Sequence, residues 1–205
     1  MYDSWVSSLD IHGYEAPLAE GRVARRRKRM RDALLQAGAR QFAARGIATV
    51  SVEDLLAEAD VSRATFYGFF SSKNKLLEVI LNPIFEKGIA AVQSLEKSPP
   101  RDALEGIYKV YLDLWRTHRE GLLLIPAVDP VAFKHFKPQH QSLNDALLSV
   151  LIRAEKANLL RNGSASFSLR VLARTAIPLL KVYDSHPSGE ALFEDAIRAL
   201  LMSAR

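Results

Sequence analysis

The chain has 205 residues, of which 48% are hydrophobic and 25% charged, and it contains no cysteine. This composition is typical of a globular protein with a buried core, and the missing cysteines exclude disulfides, thiolate metal sites and a cysteine nucleophile. No apolar run approaches the length of a membrane span, and residues 1–21 lack the apolar stretch of a signal peptide. We therefore expect a soluble cytoplasmic protein.

The net charge of +5 is unevenly distributed along the chain. Residues 1–21 carry a charge of −4, residues 22–81 carry +6 and residues 82–205 carry +3. Seven of the ten residues from Arg22 to Arg31 are basic. Such a cluster attracts phosphate groups, because each neutralised phosphate releases counterions. Charge alone leaves two alternatives, a nucleic-acid contact and a solvated basic arm.

Apolar residues recur at helical spacing and strand patterns do not persist, which predicts an all-α protein. Residues 1–21 are expected to form an irregular or partly ordered acidic arm. The first helices are placed at 25–44, 51–58 and about 62–69, and Gly46 is expected to stop the first of them. Ser51 is a natural N-cap with Asp54 in the capping-box position, and Ser62 is expected to cap the third helix.

A long fourth helix is expected to begin near Lys73 after a cap at Ser71 and to kink at Pro83. That kink is either static or a hinge for a ligand-induced tilt. The later helices are placed at 101–119, 122–127, 139–160, 166–184 and 189–203. With a boundary in the region 82–100, the chain divides into the arm, a domain at 22–81 and a C-terminal domain at 82–205.

The last two predicted helices are apolar around more than one face, whereas a surface helix needs only one apolar stripe. The surplus indicates a second buried face, either against a second copy in an isologous dimer or inside one domain. The candidate dimer-interface residues are Phe167, Val171, Thr175, Leu192, Phe193, Ala196 and Leu200.

Two short helices joined by the three-residue turn at 59–61 predict a helix-turn-helix. In that motif the second helix presents its first residues to base edges in the major groove of DNA. Arg63 can bond guanine O6 and N7, and Thr65 can meet a base edge or a thymine methyl group. Tyr67, Lys73 and the helix start at Ser51 suit phosphate contacts.

This region resembles the tetracycline-repressor (TetR) family of transcription regulators over residues 31–81. The resemblance rests on Phe-x-x-x-Gly at 42–46, Val-x-x-Leu at 52–55, Ala-x-Val-Ser at 59–62 and Thr-Phe-Tyr-x-x-Phe at 65–70, with Lys73 behind them. It implies a homodimer whose last two helices form a four-helix interface. It also implies a ligand cavity in each C-terminal domain and a ligand-induced change in the spacing of the recognition helices.

The chain departs from the family pattern at three positions. Asp60, Gln41 and Gly68 stand where a turn glycine, a small apolar residue and a bulky or basic residue are usual. Asp tolerates left-handed backbone angles better than most residues. Gln41 is expected to loosen the packing of the first helix, and Gly68 is expected to place more of the base contact on Arg63 and Thr65.

The candidate DNA-binding residues lie on the two short helices, at their caps, just after them, or in the basic run just before the apolar stripe of the first helix. They are Arg26, Arg27, Ser51, Val52, Ser62, Arg63, Ala64, Thr65, Tyr67, Gly68, Phe69 and Lys73. An arginine-rich arm can follow the DNA backbone or enter the minor groove. A solvated arm, or one that the acidic segment 1–21 screens, is the alternative.

Aromatic residues on one C-terminal helix are candidates for a ligand cavity. Tyr108, Tyr111 and Trp115 recur at helical spacing, with His118 as a polar handle and Phe133 on the next segment. Aromatic packing in the core is the alternative. A metal pair of His135 and His140 is not expected, because Pro138 lies between them, and the sequence gives no reason to expect a cofactor.

We therefore expect a two-domain helical regulator that binds a pseudo-palindromic operator in double-stranded DNA. The N-terminal domain would hold a three-helix DNA-binding unit, and the C-terminal domain would bind a small-molecule effector and dimerise. The function that fits these features best is that of a repressor, which the effector releases from its operator. No catalytic motif is present, so an enzyme is not expected. The alternative is a helical ligand-binding or enzymatic protein in which the helix-turn-helix is only a scaffold.

Overall fold

The structure of the chain, a computed structural model, describes residues 16–128 and 133–203. The helices in these ranges are α1 (Ala16–Arg45), α2 (Val52–Ala59), α3 (Arg63–Phe69), α4 (Lys73–Ser94), α5 (Pro100–Leu124), α6 (Lys137–Lys156), α7 (Ala165–Tyr183) and α8 (Gly189–Leu201). Short 3-10 turns follow α4 and α5. The all-α class predicted from the sequence is confirmed.

Helix α1 begins at Ala16, nine residues before the expected start at 25. Residues 16–21, expected to be part of an irregular arm, are therefore helical. The segment from 16 to 24 contains good helix formers, and Pro17 lies in the first turn, where its missing N–H costs nothing. The rest of the expected arm, residues 1–15, lies outside the described residues.

Helix α1 packs closely on α2 and α4. Leu34, Ala37 and Phe42 are fully buried. A Cβ atom at Gly38 would lie 2.8 Å from Leu76 Cδ2, so any larger residue there would have to push the Leu76 side chain of α4 aside. Gln41, which was expected to loosen α1, donates instead to the carboxylate of Glu58 on α2 at 3.3 Å.

Several predicted boundaries differ from the structure in detail. Ser72, not Ser71, caps α4, and α4 continues past Pro83 to Ser94. The helices expected at 101–119 and 122–127 are one element, α5, interrupted by non-helical angles at His118 and followed by a 3-10 turn. Helix α6 ends at Lys156 because the chain turns through a positive φ at Asn158.

The buried side chains of both halves of the chain form one hydrophobic cluster. It runs from Leu34 and Phe66 to Phe193 and Leu201. Phe193, which was expected in a dimer interface, is fully buried within its own chain. That expectation is therefore corrected, because a side chain enclosed by the monomer core has no surface to offer a second copy.

The turn between α2 and α3 depends on a left-handed residue. Asp60 has φ 51° and ψ 51°, and its N–H donates to the carbonyl of Leu56. The N–H of Val61 donates to the same carbonyl at 3.1 Å. The chain therefore makes the tight reversal of a helix-turn-helix without the glycine that is usual there.

Replacing Asp60 tests the cost of this conformation. We expect Asp60→Ala to lower the free energy of unfolding by about 1 kcal/mol, since a Cβ without a locally bonding side chain disfavours the left-handed region. Asp60→Gly should unfold at the wild-type midpoint or above it. Urea denaturation followed by circular dichroism measures both. Equal midpoints for the two variants would contradict the assigned backbone angles.

Candidate DNA-binding surface and ligand cavity

A capping box fixes the start of α2. Ser51 Oγ accepts from the Asp54 N–H at 3.1 Å, and the Ser51 N–H donates to the Asp54 carboxylate at 2.8 Å. Arg45 pairs with the same carboxylate at 3.1 Å. The hydrogen bonds from Ser51 and Arg45 lower the pKa of Asp54 to about 2. The carboxylate is therefore ionised at neutral pH and the cap persists down to strongly acidic pH.

Helix α3 presents its first residues outward, as expected for a recognition helix. Ser62 caps it by accepting from the Thr65 N–H at 3.1 Å, and the two hydroxyl groups lie 2.8 Å apart. Phe66 is fully buried beneath it and Phe70 nearly so. On the opposite face Arg63, Ala64, Tyr67 and Gly68 are exposed.

Arg63 forms an ion pair on this surface. Its Nη2 donates to Glu53 of α2, and both side chains remain more than half exposed. Exposed ion pairs of this kind add little to stability. Sequence reasoning missed Glu53, because a spacing of ten residues across a turn carries no periodic signal.

Lys73 has a role that the sequence did not predict. Its ammonium group donates to the carbonyls of Ile47 at 2.6 Å and Val50 at 2.7 Å, across the loop between α1 and α2. The side chain is half-buried, whereas a phosphate contact was expected of it. In this structure Lys73 holds the loop that leads into the capping box of α2.

The basic half of α1 lies beside α3. Arg26 and Arg27, which lie within the helix expected at 25–44, are helical and line a groove of about 510 Å³ between the two helices. The guanidinium carbon of Arg27 lies 5.1 Å from the centre of the Phe69 ring. The arginine-rich run and the recognition helix therefore form one continuous surface.

The aromatic stripe of α5 divides between two sites. Tyr108 and Trp115 line an outer groove of about 790 Å³ beside α7 and α8. The Tyr108 hydroxyl accepts from Arg198 at 3.0 Å, and Trp115 Nε1 donates to Asp184 at 2.9 Å. Burial, assisted by Glu194, raises the pKa of Tyr108 to about 12. Both polar atoms already have partners within the chain.

Tyr111 faces the interior instead. It lines a small apolar cavity of about 70 Å³ between α4, α5, α6 and α7, with His140 and Asn144 as its other polar side chains. Burial raises the pKa of Tyr111 to about 12 and lowers the pKa of His140. His140 Nδ1 lies 3.2 Å from the Asn144 amide nitrogen. At neutral pH the cavity therefore holds uncharged hydrogen-bonding groups in an apolar wall.

The two remaining ligand candidates lie outside this lining. His118 stands at the break in α5 and borders a crevice of about 500 Å³ against α1 and α4. The expectation that it shares a cavity with Tyr111 is corrected, because the non-helical turn at His118 directs it to another side of α5. Phe133 packs its ring edge to face on His140 at 5.0 Å, behind the cavity wall.

Helix α7 leaves an apolar strip exposed. Phe167 is 47% exposed and Val182 is 68% exposed, with Val171 and Thr175 half-buried between them. On α8, the expected interface residues Leu192, Ala196 and Leu200 are half-buried. Except for Phe193, the candidate interface residues therefore reach the surface of the monomer.

The described residues lack a metal-binding cluster and a membrane-spanning helix. No group of three His, Asp or Glu side chains in these ranges is placed to hold a metal ion. Among the helices that the structure describes, none is both long and apolar enough to cross a membrane.

The helix-turn-helix has an exposed basic surface, and it is joined to an all-helical half with an interior cavity. This arrangement is typical of the class of helix-turn-helix regulatory proteins. Residues 34–80 match the family model of the bacterial regulatory proteins, tetR family. Over these residues the chain is similar to the members of that family.

Known transcriptional regulators are similar to the chain in part of their sequence or in fold. The chain is 30% identical over 79 residues to the HTH-type transcriptional regulator EthR of Mycobacterium tuberculosis, a match that spans 37% of each chain. Its fold matches the ketosteroid transcriptional regulator KstR2 of Mycobacterium tuberculosis with a TM-score of 0.72 at 17% identity, over 85% of this chain and 95% of KstR2. A further match is SmeT, a repressor of Stenotrophomonas maltophilia, in its complex with triclosan. The TM-score is 0.61 at 19% identity, and the match covers 85% of this chain and 92% of SmeT.

Replacing Lys73 separates its loop role from a phosphate role. We expect Lys73→Met to lower the free energy of unfolding by about 1–3 kcal/mol, because the carbonyls of Ile47 and Val50 lose their charged donor. Lys75→Met is the matched control, since Lys75 lies on the same helix and pairs with Glu78 at the surface. Thermal unfolding measures both. A Lys73→Met protein of wild-type stability with weakened DNA binding would contradict the loop role.

Proposed function

We propose that the chain is a sequence-specific DNA-binding transcriptional regulator, a repressor that leaves its operator when a small molecule binds. The observation that carries the proposal is the single surface formed by the exposed start of α3 and the basic half of α1. Such a surface suits base contacts and phosphate contacts together. The family match over 34–80, which includes all of α2 and α3, supports it.

The proposed contacts divide by chemistry. Arg63 and Thr65 read base edges, and the neighbouring Ala64, Gly68 and Phe69 let α3 approach the groove closely. Arg26, Arg27 and Tyr67 meet phosphates, as do the backbone N–H groups near Ser51, Val52 and Ser62, where two helices begin. Lys73 contributes by holding the loop before Ser51.

We place the effector in the cavity beside Tyr111. Its apolar wall and its uncharged Tyr111, His140 and Asn144 favour an apolar molecule with a few hydrogen-bonding groups. A cavity of about 70 Å³ must widen to admit such a molecule. The solved structure of SmeT with triclosan is a precedent for a small apolar ligand in this fold.

Helix α4 is the element that connects the two sites. Ile84 and Phe85 line the cavity, and Leu76, two turns earlier, packs under Gly38 of α1. Widening the cavity displaces α4, and the tight contact at Gly38 passes the displacement to the DNA-binding half. We accordingly divide the chain into a DNA-binding domain at 22–81 and a ligand-binding and dimerisation domain at 82–205, with α4 crossing the boundary.

The exposed strip of α7 is the proposed dimer surface, together with the half-buried residues of α8. An isologous dimer places two α3 helices on one face, about one helical turn of DNA apart or somewhat more. The operator is therefore expected to be pseudo-palindromic.

A mobility-shift assay with the DNA upstream of the protein's own gene, at fixed salt, tests the function. Selection from a random duplex library identifies the preferred site independently. Binding to one sequence far above shuffled duplexes is expected. A protein with no preference among duplexes would favour the alternative, a helical ligand-binding protein or enzyme with a helix-turn-helix scaffold.

Arg63 and its partner provide a sharper test of base reading. We expect Arg63→Ala to weaken operator binding by about 1–3 kcal/mol and to relax the sequence preference, because a bidentate contact to guanine is lost. Glu53→Gln should strengthen binding to all duplexes, since it removes a negative charge near the DNA phosphates and releases Arg63 from its ion pair.

The matched control is Glu58→Gln, which also removes an arginine-paired carboxylate from α2 but leaves Arg63 untouched. Fluorescence anisotropy with operator and shuffled duplexes at several salt concentrations measures each variant. If Arg63→Ala and wild type select the same sites from the library, Arg63 does not read bases.

The dimer surface is tested by a charge on its exposed strip. Phe167→Glu is expected to yield monomers at concentrations where the wild type is dimeric, because a carboxylate would be buried against the partner. Ile152→Glu is the control, as Ile152 is an exposed apolar residue on α6. Analytical ultracentrifugation reports the oligomeric state. A Phe167→Glu dimer as stable as wild type would place the interface elsewhere.

A further inference from the structure

A crevice of about 500 Å³ lies between α1, α4 and α5, apart from the DNA-binding surface. Its apolar side consists of residues from α1 and α4, namely Leu35, Ala39, Val79 and Ile80. Residues 116–121 of α5 form the other side, which is mostly polar. A molecule in this space would touch α1, α4 and α5 at once, and so both halves of the chain.

Helix α5 is broken where it borders the crevice. His118 has φ −142° and ψ 34°, which lie outside the helical region. Successive residues of a regular helix are turned by about 100° from one another, so six of them point all round the axis. Here all the residues from 116 to 121 border one crevice. The break therefore gathers the polar groups of α5 along a single wall.

The charged side chains of this wall favour neither an anion nor a cation. Arg116 forms an ion pair with Glu190, and Arg119 forms one with Asp184. Glu120, the remaining charged side chain of the lining, is half-buried. An anion would meet the carboxylate of Glu120, and a cation would meet the two guanidinium groups. The lining therefore suits an uncharged molecule.

Uncharged hydrogen-bonding groups belong to the same lining. Burial and the nearby Lys87 lower the pKa of His118, so its ring is predominantly neutral at pH 7. Pro83 has no N–H and cannot give the carbonyl of Val79 the bond that a regular helix provides there. Both Pro83 and Val79 border the crevice. An apolar molecule with a hydroxyl or amide N–H group complements this lining.

Ile84 of α4 lies between the crevice and the interior cavity beside Tyr111, because its side chain lines both spaces. A Cβ atom at Gly121 would lie 2.3 Å from Ile84 Cδ1, so α4 and α5 are in close contact at this point. A displacement of Ile84 that widens the cavity therefore narrows the crevice.

We propose that the crevice is a second regulatory site, which binds a small uncharged apolar molecule with a hydrogen-bonding group and holds α4 in place. The crevice is open at about 500 Å³ while the cavity is nearly closed at about 70 Å³. A molecule that fits the open crevice stabilises this arrangement over one with a widened cavity.

The sign of this regulation is opposite to that of the effector. A filled crevice resists the displacement of Ile84 that a filled cavity requires, so the two ligands weaken each other's binding. This antagonism rests on the proposed function, in which widening of the cavity releases DNA. Binding in the crevice does not depend on that function.

Disulfide exchange tests the crevice as a ligand site, since the chain has no cysteine of its own. Gln36→Cys puts a thiol at the exposed rim, and Gln141→Cys, at an exposed position of α6, is the matched control. Each variant is equilibrated in a redox buffer with benzyl mercaptan, which is neutral, cysteamine, which is cationic, and mercaptoethanesulfonate, which is anionic. Intact-mass spectrometry measures the mixed disulfides.

We expect the Gln36→Cys thiol to favour the benzyl group about tenfold over both charged groups, because the apolar side of the crevice buries the ring. The Gln141→Cys thiol should show no such preference. Equal preferences at the two positions, or a charged group favoured at position 36, would overturn the site.

An overfilled interior cavity tests the antagonism. Val110 lines that cavity, so Val110→Phe is expected to displace α4 and to weaken duplex binding about tenfold. A benzyl disulfide on Gln36→Cys should restore most of this affinity, whereas the same disulfide on Gln141→Cys should not. Fluorescence anisotropy measures binding to the duplex selected from the random library. Circular dichroism reports folding, and Val110→Leu is the milder substitution if the phenylalanine variant is unfolded.

Each outcome decides one part of the proposal. Weakened DNA binding that the benzyl group on Gln36→Cys does not restore would overturn the antagonism. If the wild type binds no duplex, or if the Val110 variants bind as tightly as the wild type, the proposed function or its coupling to the cavity fails, and the antagonism falls with it. The disulfide preference at position 36 still decides whether the crevice binds a ligand.

Discussion

The burial of Phe66 is the contact on which the DNA-binding surface depends. Helix α3 has seven residues, far fewer than a helix needs to be stable alone in water. Phe66 is fully buried and Phe70 almost so, and this fixes α3 on the rest of the core. Because one face is held in this way, Arg63 and Tyr67 on the opposite face can remain exposed without loss of order. The left-handed turn at Asp60 and the Ser62 cap then set the direction in which that face points.

Helix α4 connects the parts of the molecule through side chains spaced along its length. Lys73, in its first turn, donates hydrogen bonds to the loop before α2. Leu76 packs beneath Gly38 of α1, and Phe85 lines the interior cavity. Helix α4 therefore extends from the loop before α2 to the interior cavity. Under the proposed function, an effector that widens this cavity of about 70 Å³ would displace the helices that line it, and α4 would carry the displacement toward the DNA-binding half.

The sequence predicted the all-α class and the capping of the short helices because these features depend on neighbouring residues. Capping at Ser51 and Ser62 depends on residues three positions away, and the left-handed angle at Asp60 follows from turn chemistry. The start of α1 was missed by nine residues, since residues 16–24 show no sustained apolar periodicity although most of them are good helix formers. The aromatic stripe of α5 was grouped into one site, whereas Tyr108 and Tyr111 line different spaces. Spacing on a helix places residues on a face but does not say which neighbouring helix covers it.

The sequence by itself determined the class of the fold, the helix-turn-helix and the concentration of basic charge before it, because each is a property of residues close together in the chain. The tertiary structure alone decided which of those residues have partners. It turned Lys73 toward the carbonyls of a loop, paired Arg63 with Glu53, enclosed Phe193 and left the groove beside Gly68 open. These outcomes depend on contacts between helices that are distant in sequence, and the free energy of such contacts is set by packing that no local pattern records.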